Sequence, residues 1–553
     1  MIFRDAGLLQ RAAGMMQDNR YQGLVAGSAR RKRVGQAGRI FREATGLTLL
    51  AILLSGCAST QEWWHNGFKI GPNYCPAEAN VADSWIEASD PRLRGTGPDN
   101  ACWWTAFGDP TLDDLVAEAS QQNITLKTAG LRILEARAER GIAAGNLLPQ
   151  QQEATAGYGR DAMSMNAYPF NVFNYLLPQQ YYDNWSVGVD AAWELDFWGR
   201  FRRAIEAADA HLDAQVDAYD HVLVLLQAEA AASYIQMRAF EERLELAHKN
   251  LDLQKETLRI ITLREQQGLV TELDVQQATA NLGATEALIP LLENGHRRAQ
   301  NRLCILLGEP PHRLGETVKS PGSIPMPPQE IVVGIPADLL RRRPDVRKAE
   351  REAAAQSAKI GMAESEFYPH IAITGMIGLQ SENASQLFEP GSVVAGIGPG
   401  LRWNILNFGR IRNNVRAEDA RFQQALLNYR DTVLRANEEV ENGIVGFLTE
   451  RDRVASLGKS TRAASRSVEL AMLQYEKGMI SYQPLLDSQR ALVLQQDSLA
   501  ASRGAVGVDL VAIYKALGGG WRARLTEQPG RAAEPVPPGM EVLPPAPPPA
   551  PQN

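Results

Sequence analysis

The residue types that most often carry chemistry are few and scattered in this chain. It contains seven histidines and four cysteines among 553 residues. No Cys/His cluster has the spacing of a metal site, and no Ser, His and Asp are spaced as a nucleophilic triad. The GIGPG stretch around Gly396 lacks the strand-to-helix context of a phosphate-binding loop. We therefore expect no enzyme activity, no metal site and no cofactor, apart from the covalent lipid considered next.

Cys57 is the cysteine whose surroundings predict a modification. A basic segment precedes the short apolar run GLTLLAILLSGC, which ends at Cys57. Charged, apolar and then small residues are typical of a secretory signal, and this run is too short to cross a bilayer as a helix. LLSGC resembles the bacterial lipobox, in which the cysteine is lipidated and becomes the mature N-terminus. An ordinary signal peptide with a chance cysteine is the alternative.

Residues 1–56 are accordingly predicted to be a signal peptide with a long charged region. Translation from Met15 or Met16 would shorten that region, and a twin-arginine export signal at residues 30–31 is a weaker alternative. Ala58 rather than an aspartate follows the cysteine, which in lipoproteins of this type suggests transfer to the outer membrane.

The other three cysteines divide into two groups. Cys75 and Cys102 flank a polar loop, and in an oxidising periplasm they are predicted to form a disulfide, with two separate thiols as the alternative. Cys304 lies at helical spacing with Leu303 and Leu307, which predicts a buried core thiol.

The overall charge and hydropathy exclude two classes of protein. A net charge of -7 and a pI near 5.7 argue against a nucleic-acid-binding protein. No run of about eighteen apolar residues is present, which argues against an ordinary transmembrane helix. Membrane-spanning β-strands give a weaker, alternating signal that this test does not detect.

Between residues 106 and 522 the chain is predicted to be an internal duplication, with repeats at 106–315 and 316–522. Each repeat contains a helix, two strands, a long helix and a returning helix. Residues 57–105 form a lipidated N-terminal extension, and residues 523–553 form a Pro-rich tail predicted to be disordered. The residues that mark the element boundaries recur in both repeats. They are the prolines that end the first helix (Pro149 and Pro369), the glycines of the Gly-Arg pairs (Gly199 and Gly409), the glycines that end the long helices (Gly268 and Gly478) and the N-caps of the returning helices (Thr271 and Ser481).

The long helices carry a heptad seam. From Leu212 to Ile261 the apolar positions alternate steps of four and three, and the same spacing runs from Phe422 to Phe447. A helix covering residues 200–266 would be on the order of 100 Å long. A stripe of this kind predicts packing positions rather than ligands.

The strand preceding each Gly-Arg pair has two faces. Polar or small residues alternate with apolar ones over about 10–12 residues, enough for a tilted strand to cross an outer membrane. Four strands cannot close a barrel, and lipid tolerates no open strand edge. Three copies would supply twelve strands. The residues predicted to face lipid are Val187, Val189, Trp193, Leu195, Ile397, Leu401 and Trp403.

These segments together resemble the TolC-like outer membrane efflux proteins (outer membrane factors), in particular their NodT-like lipoprotein branch of RND efflux systems. The matching motifs include WWTAFGDPTLDDLVAEA, WELDFWGR, GLVTELDVQQA, PADLLRRRPDVRKAE, WNILNFGRIRNNV and YEKGMISYQPLLDSQR, in order from Cys57 to about Trp521. The resemblance implies an α+β membrane protein, with a long α-helical coiled-coil barrel and four β-strands per chain in a shared twelve-stranded trimeric outer-membrane β-barrel.

The resemblance also implies partners and a location. The chain would be a homotrimer in outer membrane lipid, anchored by its own lipid, with the helical part in the periplasm. The helical tips would bind a periplasmic adaptor (membrane fusion protein), which links the channel to an inner-membrane RND-type transporter.

Two residues are implied as the periplasmic gate. The family's gate carboxylate matches Asp487, and three copies would form a ring of charge that favours cations. The apolar gate position one turn earlier matches Gln483, and Pro484 is a further departure from the family pattern. The alternative for Asp487 is a solvated carboxylate that favours the helix N-terminus.

Three functions compete for this architecture. The first is an exit duct that passively conducts small toxic compounds or drugs, and the second is a duct for type I protein or peptide secretion. The third is a long coiled-coil adhesin or spacer, which the paired alternating strands disfavour.

Overall fold

The structure is a computed structural model, and it describes residues 60–95, 101–162, 164, 181–314, 318, 322–522 and 524. The chain divides into two units, residues 1–67 and 68–553. In the first unit, helix α1 spans Thr60–His65. The predicted signal peptide, the lipidation site Cys57 and all of the Pro-rich tail except Arg524 lie outside the described residues.

In the second unit, the short strand β1 (Leu93–Arg94) precedes a series of helices and strands that we call the first half. Its elements are α2 (Pro110–Gln122), α3 (Ile124–Gly145), β2 (Gln151–Ala162), β3 (Tyr181–Glu194), α4 (Arg200–Gln266) and α5 (Glu272–Leu306).

The second half has the same order of major elements. Its elements are β4 (Ile331–Val332), α6 (Leu339–Arg342), α7 (Pro344–Ser365), β5 (His370–Ser381), β6 (Val393–Arg402), α8 (Arg410–Glu476) and α9 (Tyr482–Ala516). Helices α3 and α7 each have 22 residues, α4 and α8 each have 67, and α5 and α9 each have 35.

The helical pattern that begins at Asp109 contains a break that sequence reasoning did not foresee. The Asp109 side chain caps α2 by accepting from the backbone NH groups of Thr111 and Leu112. The helix then ends at Gln122, and Asn123 caps α3 through its Oδ1, while its Nδ2 donates to the carbonyl of Leu306. One buried amide therefore restarts the helix and attaches it to the end of α5.

The predicted seam of α4 lies inside the protein. Its middle positions, including Leu223, Leu226, Ala230 and Met237, are buried in the largest apolar core, and Ile261 is buried in a second core at the far end of the helix. In α8, Tyr429, Val433, Ala436, Val440, Ile444 and Phe447 are buried in the same way. The heptad spacing thus predicted the packing face of both long helices.

The four longer strands form one antiparallel sheet in the order β2-β3-β5-β6. Val189 of β3 lies opposite Ala154 of β2 and Ile377 of β5, and Ile377 lies opposite Ala395 of β6. Within this sheet β2 and β6 each pair with one neighbouring strand, so each leaves one edge unpaired.

The register gives the sheet one mainly apolar face, which also carries Gln152, Arg160 and Asp183, and one mainly polar face, which also carries Met376 and Val394. Residues that lie opposite each other share a face. The apolar face collects Ala154, Ala156, Val187, Val189, Trp193, Ile371, Ile373, Ile377, Leu379, Val393, Ala395, Ile397 and Leu401. The other face collects Glu153, Thr155, Ser186, Gly188, Asp190, Thr374, Gly378, Gln380, Gly396, Gly398 and Gly400.

A strap formed by residues 68–94 packs along the helices of both halves. The buried Arg203 donates from Nε to the Ile70 carbonyl (3.0 Å) and from Nη2 to the Gly71 carbonyl (2.7 Å). Gly71 has φ +85° and packs directly on Gly361 of α7, where a Cβ on either glycine would clash. The strap ends in β1, which pairs in parallel with β4.

Candidate functional site at the helical hairpin tips

Each long helix ends in a tight turn and returns as a shorter helix. Gly268 and Gly478 adopt φ of +72° and +71° at these turns, as the glycine breaks predicted. The α4–α5 turn and the α8–α9 turn therefore form two hairpin tips of the same design.

The returning helices begin differently at the two tips. Thr271 forms a capping box with Asp274: its backbone NH donates to Oδ2 at 3.1 Å and its Oγ1 does so at 3.0 Å. Ser481 is the N-cap of α9 but makes no capping bond with its side chain. Pro484 lies in the first turn of α9, where its missing NH costs little.

The two predicted gate residues lie on one exposed face of α9. Gln483 and Asp487 are four residues apart, and Nε2 of Gln483 donates to Oδ1 of Asp487 at 3.1 Å. Both side chains are exposed in the single chain. This arrangement presents a carboxylate and an amide together, with no apolar constriction at these two positions.

The opposite face of α9 joins the two hairpins. Tyr482, Leu485 and Leu486 pack with Ile261 of α4 in a small apolar core. Two residues beyond Asp487, Gln489 Nε2 donates to Thr257 Oγ1 of α4 at 2.8 Å. Arg490 Nε lies 3.3 Å from Asn281 Oδ1 of α5 and donates to it.

Arg264 adds a link that sequence reasoning missed. Its guanidinium donates to the backbone carbonyls of Tyr475 and Glu476, both at 2.8 Å, and it lies 4.5 Å from the centre of the Tyr475 ring. An arginine in the last turn of a helix is a weak signal for this role, because such side chains often bind free carbonyls at helix ends. Here the carbonyls belong to the neighbouring long helix, which no local pattern reveals.

The tip turns also present apolar side chains to solvent. Leu269 and Leu273 are exposed at the first tip, and Met479 is exposed at the second. Exposed apolar residues grouped at the end of a helical structure are typical of a protein-binding surface.

At the opposite end of the long helices, the predicted lipid-facing residues lie on or beside the apolar face of the sheet. Val187, Val189 and Trp193 belong to β3, and Ile397 and Leu401 belong to β6. Leu195 lies one residue beyond the end of β3, and Trp403 lies one residue beyond the end of β6, although both were predicted to be strand residues. The strands end there because the chain turns toward the glycine that starts each long helix.

Three tryptophans connect this sheet to the helices. Trp193 Nε1 donates to the Leu147 carbonyl at 3.1 Å, and Trp403 Nε1 donates to the Phe367 carbonyl at 2.9 Å. Leu147 follows α3 and Phe367 follows α7, the two helices that lead into the sheet. Trp198 Nε1 donates to the Pro369 carbonyl at 2.9 Å. These indole rings therefore satisfy backbone groups where helix changes to strand.

The predicted disulfide is absent from the structure, in which Cys75 and Cys102 are both exposed thiols. Cys75 belongs to the strap, whose Gly71 contacts α7, whereas Cys102 precedes a turn in which Trp103 stacks on Tyr514 of α9. The two cysteines thus belong to different segments of the chain, the strap and the turn that precedes α2. Cys304 is fully buried, as its helical spacing predicted.

Within the described part of the chain, no group of three or more His, Cys, Asp and Glu side chains is placed to hold a metal ion. Among the described helices, none is both long and apolar enough to cross a membrane.

Comparison with known proteins connects these features to one family. The family model described as outer membrane efflux protein matches residues 115–309 and 335–519. Nodulation protein T of Rhizobium leguminosarum bv. trifolii is 31% identical over 456 residues, which are 81% of this chain and 91% of that protein. The pyoverdine export outer membrane protein OpmQ of Pseudomonas aeruginosa is 29% identical over 474 residues, which are 85% of this chain and 96% of that protein.

A solved structure has the same fold. The outer-membrane channel OprN superimposes with a TM-score of 0.76 at 30% sequence identity, and the match covers 82% of this chain and 99% of that channel. The two segments matched by the family model cover one half of the fold each, and together they make up more than half of the chain. This chain belongs to the outer membrane efflux protein family.

Proposed function

We propose that the protein is the outer-membrane exit duct of a tripartite efflux system, through which small toxic compounds leave the cell passively. The observation that carries the proposal is a sheet with one apolar and one polar face, continued by two 67-residue helices. The sheet suits a boundary between lipid and a water-filled lumen, and helices about 100 Å long suit a conduit across the periplasm.

The duct is a homotrimer with one shared twelve-stranded barrel. Each chain supplies four strands, and both β2 and β6 leave an edge unpaired within the sheet. Hydrocarbon cannot satisfy those backbone groups, so the edges require strands from other copies. A covalent lipid on Cys57 anchors each chain to the same membrane.

Asp487 and Gln483 form the periplasmic gate. Their shared exposed face and their 3.1 Å hydrogen bond support this assignment. Around a threefold axis, three Asp487 carboxylates would repel one another as the opening narrows and would favour cations when it conducts. The closed gate is polar, because Gln483 stands where an apolar residue is expected.

The hairpin tips bind the periplasmic adaptor, which connects the duct to an inner-membrane RND-type transporter. The exposed side chains of Leu269, Leu273 and Met479 support an apolar contact at this end. The transporter supplies the energy and sets most of the selectivity, and the duct itself catalyses nothing.

A small-molecule cargo is favoured over a secreted protein. The relative OpmQ is named for the export of pyoverdine, and the likeness to it covers most of both chains. Type I protein or peptide secretion uses the same architecture and is the outcome that the following experiment separates from efflux.

The test is the susceptibility of a deletion strain to dyes, detergents and antibiotics. We expect the deletion to sensitise the cells and the wild-type gene to restore resistance. Cys57→Ala should restore it only in part, because the lipid anchor is lost. Asp487→Ala should retain resistance to pump substrates but admit large antibiotics, because the charged constriction is removed.

Glu272→Ala is the matched control for Asp487→Ala. Glu272 is an exposed carboxylate at the start of α5, so its loss removes a negative charge from the other hairpin tip without touching the gate. Equal antibiotic entry in both variants would contradict the assignment of Asp487 to the gate. Unchanged susceptibility of the deletion strain, together with loss of a secreted protein from the medium, would contradict efflux and support secretion.

A further inference from the structure

The helices enclose a cavity close to the sheet. It has a volume of about 540 Å³ and is lined by residues of α3, α4, α7 and α8. Arg200, the first residue of α4, and Glu366, which lies shortly before β5, belong to its lining. The proposed gate is far away, because Gln489 contacts α4 at Thr257, about 70 Å further along that helix at 1.5 Å per residue.

The cavity opens on the face of the helices that the strap leaves uncovered. Helices α3, α4, α7 and α8 lie side by side, each in contact with the next. The strap covers one face of this layer, where Gly71 packs on Gly361 of α7. Lys359 and Ala363 line the cavity, and each is two residues from Gly361, which places them about 200° around the helix. They therefore project from the face opposite the strap.

This opposite face is the concave one. A single cavity touches all four helices of the layer, which requires the layer to curve around it. In the proposed trimer the layer closes into a ring, and the concave side of a ring encloses the lumen. The cavity is thus a recess in the wall of the duct, where a compound in transit can enter it.

The floor of the recess is apolar and made of small side chains. Short side chains leave the volume empty that longer ones would fill, and Met362 lies beside them as a deformable neighbour. A recess of this size and lining suits the apolar body of a small organic compound. The floor consists of five alanines: Ala204, Ala207, Ala208, Ala355 and Ala363.

The rim of the recess is charged, and one of its charges has no counter-charge. The three carboxylates and Arg200 each have a partner within ion-pair or hydrogen-bond distance: Glu139 with His211, Glu366 with Arg410, Glu418 with Gln356, and Arg200 with Glu194. Lys359 differs, because its exposed ammonium forms no hydrogen bond or ion pair with any residue that the structure describes. The group that the rim still lacks is therefore an anion.

We propose that this recess is a binding site for amphipathic organic anions on their way through the duct. The apolar body of the compound lies on the alanine floor, and its carboxylate or sulfonate binds the ammonium of Lys359. The inference rests on the proposed exit duct and adds a class of cargo to it. The site is separate from the gate, since the Asp487 carboxylates attract cations at the far end of the helices.

Block of single channels tests the site in the full-length trimer, reconstituted in planar bilayers with each probe added to both compartments. Naphthoate supplies an apolar body and a carboxylate, naphthylmethylammonium supplies the same body with a positive charge, and acetate supplies the carboxylate alone. We expect naphthoate to halve the conductance at the lowest concentration of the three. Only this probe satisfies both the alanine floor and Lys359.

Two substitutions separate the charge from the floor. Lys359→Gln should raise the naphthoate concentration that halves the conductance by about three- to fivefold, as expected for loss of a solvent-exposed ion pair. Ala208→Leu should also raise it, because the larger side chain occupies the floor while Lys359 is kept. Both variants should form conducting trimers without probe, which shows that the fold is intact.

Lys348→Gln is the matched control for Lys359→Gln. Lys348 lies about three turns earlier on the same face of α7 and pairs with Glu352 at 3.6 Å, outside the recess. Its loss should leave the block by naphthoate unchanged. An equal effect of the two lysine substitutions would show that any positive charge on this face suffices and would overturn the site.

The remaining outcomes distinguish the site from the duct. Stronger block by naphthylmethylammonium than by naphthoate would overturn the preference for anions. Absence of block by either aromatic probe, in channels from a gene whose deletion sensitises the cells, would overturn the site and leave the efflux duct intact. Block that depends on Lys359, from a gene whose deletion causes no sensitivity, would uphold the site and contradict the efflux function.

Discussion

Asp217 is a buried carboxylate on α4 with few hydrogen bonds. Nη2 of Arg347 lies 2.8 Å from its Oδ1, yet Oδ1 receives no well-directed hydrogen bond. Asp220 on the same helix is also buried, and Arg524 binds both of its oxygens. Burial raises the pKa of Asp217 to about 6, against the attraction of Arg347 and with added repulsion from Asp220.

This pKa predicts a pH dependence of stability. The folded-state value of about 6 lies above the ordinary value of 3.8, so the folded chain binds a proton first as the pH falls. Lowering the pH from 7 to 4 therefore adds stability at this site, by about 2 kcal/mol for a shift of about two units. Asp217→Asn should remove this contribution, as measured by thermal unfolding of the solubilised protein at pH 4.5 and 7.5.

Asp213→Asn is the control for that comparison, because Asp213 is an exposed partner of Arg351 on the same helix. The same change in pH dependence in both variants would contradict the assignment to Asp217. Equal pH dependence in Asp217→Asn and wild type would contradict it as well.

Sequence reasoning could not single out Asp217 or Asn123. The heptad seam placed Val216 and Tyr219 on the packing face, but Asp217 falls between them, and its burial depends on α7 packing from the side. Asn123 looked like an ordinary polar residue within a helix, and its role follows from the carbonyl of Leu306, which is 183 residues away. Both roles arise from contacts that are distant in sequence.

At the scale of elements, the strap depends on a glycine contact. A Cβ on Gly361 would lie 2.7 Å from the Ile70 carbonyl oxygen and 2.9 Å from Arg203 Nε. Alanine normally stabilises a helix interior by about 1 kcal/mol relative to glycine, but here the clash should outweigh that gain by about 1–3 kcal/mol. We expect Gly361→Ala to release the strap, which faster trypsin cleavage after Lys69 would report.

Gly141→Ala is the matched control, because Gly141 is the counterpart on α3 and has open space around it. Strap cleavage at the wild-type rate in Gly361→Ala would show that the contact is not needed.

The hairpin tips give a second prediction at this scale. Arg264 joins the ends of α4 and α8 through two carbonyls and the Tyr475 ring. Arg264→Ala should let the α8–α9 hairpin move outward and raise the conductance of channels in planar bilayers. Arg259→Ala is the control, since Arg259 is exposed on the same helix and pairs with Glu256. Equal conductance in both variants would contradict the link.

Helix bounds were more predictable than strand bounds. The long helix expected at 200–266 is α4, because glycine punctuation and a heptad pattern mark its ends and its packing face. Leu195 and Trp403 were predicted to be strand residues that face lipid, yet the strands end at Glu194 and Arg402. Alternation continues past each end, where the chain is already close to the helices: the indoles of Trp193 and Trp403 bind the carbonyls of Leu147 and Phe367, which follow α3 and α7.

At the scale of the whole molecule, the protein resides in the outer membrane with its helical part in the periplasm. Its proposed ring of three Asp487 side chains predicts cation selectivity. Asp487→Asn should reduce that selectivity, which the reversal potential across a KCl gradient measures in planar bilayers. Asparagine keeps the size of the side chain, so the change isolates the charge.

Glu272→Gln should leave the reversal potential unchanged, since this carboxylate lies on the other hairpin. Loss of cation selectivity in both variants would indicate that charges spread over the whole tip set the selectivity, rather than a ring of Asp487 side chains. No change in either would contradict the position of Asp487 at the constriction.

The equal lengths of the paired helices limit how this protein can evolve. Both long helices have 67 residues and both returning helices have 35. One residue inserted into a long helix would shift its hairpin tip by about 1.5 Å and rotate it by about 100°. The contacts that Arg264, Gln489 and Arg490 make between the two hairpins would then be misaligned. We therefore expect natural insertions and deletions in one long helix to be inherited together with matching ones in the other.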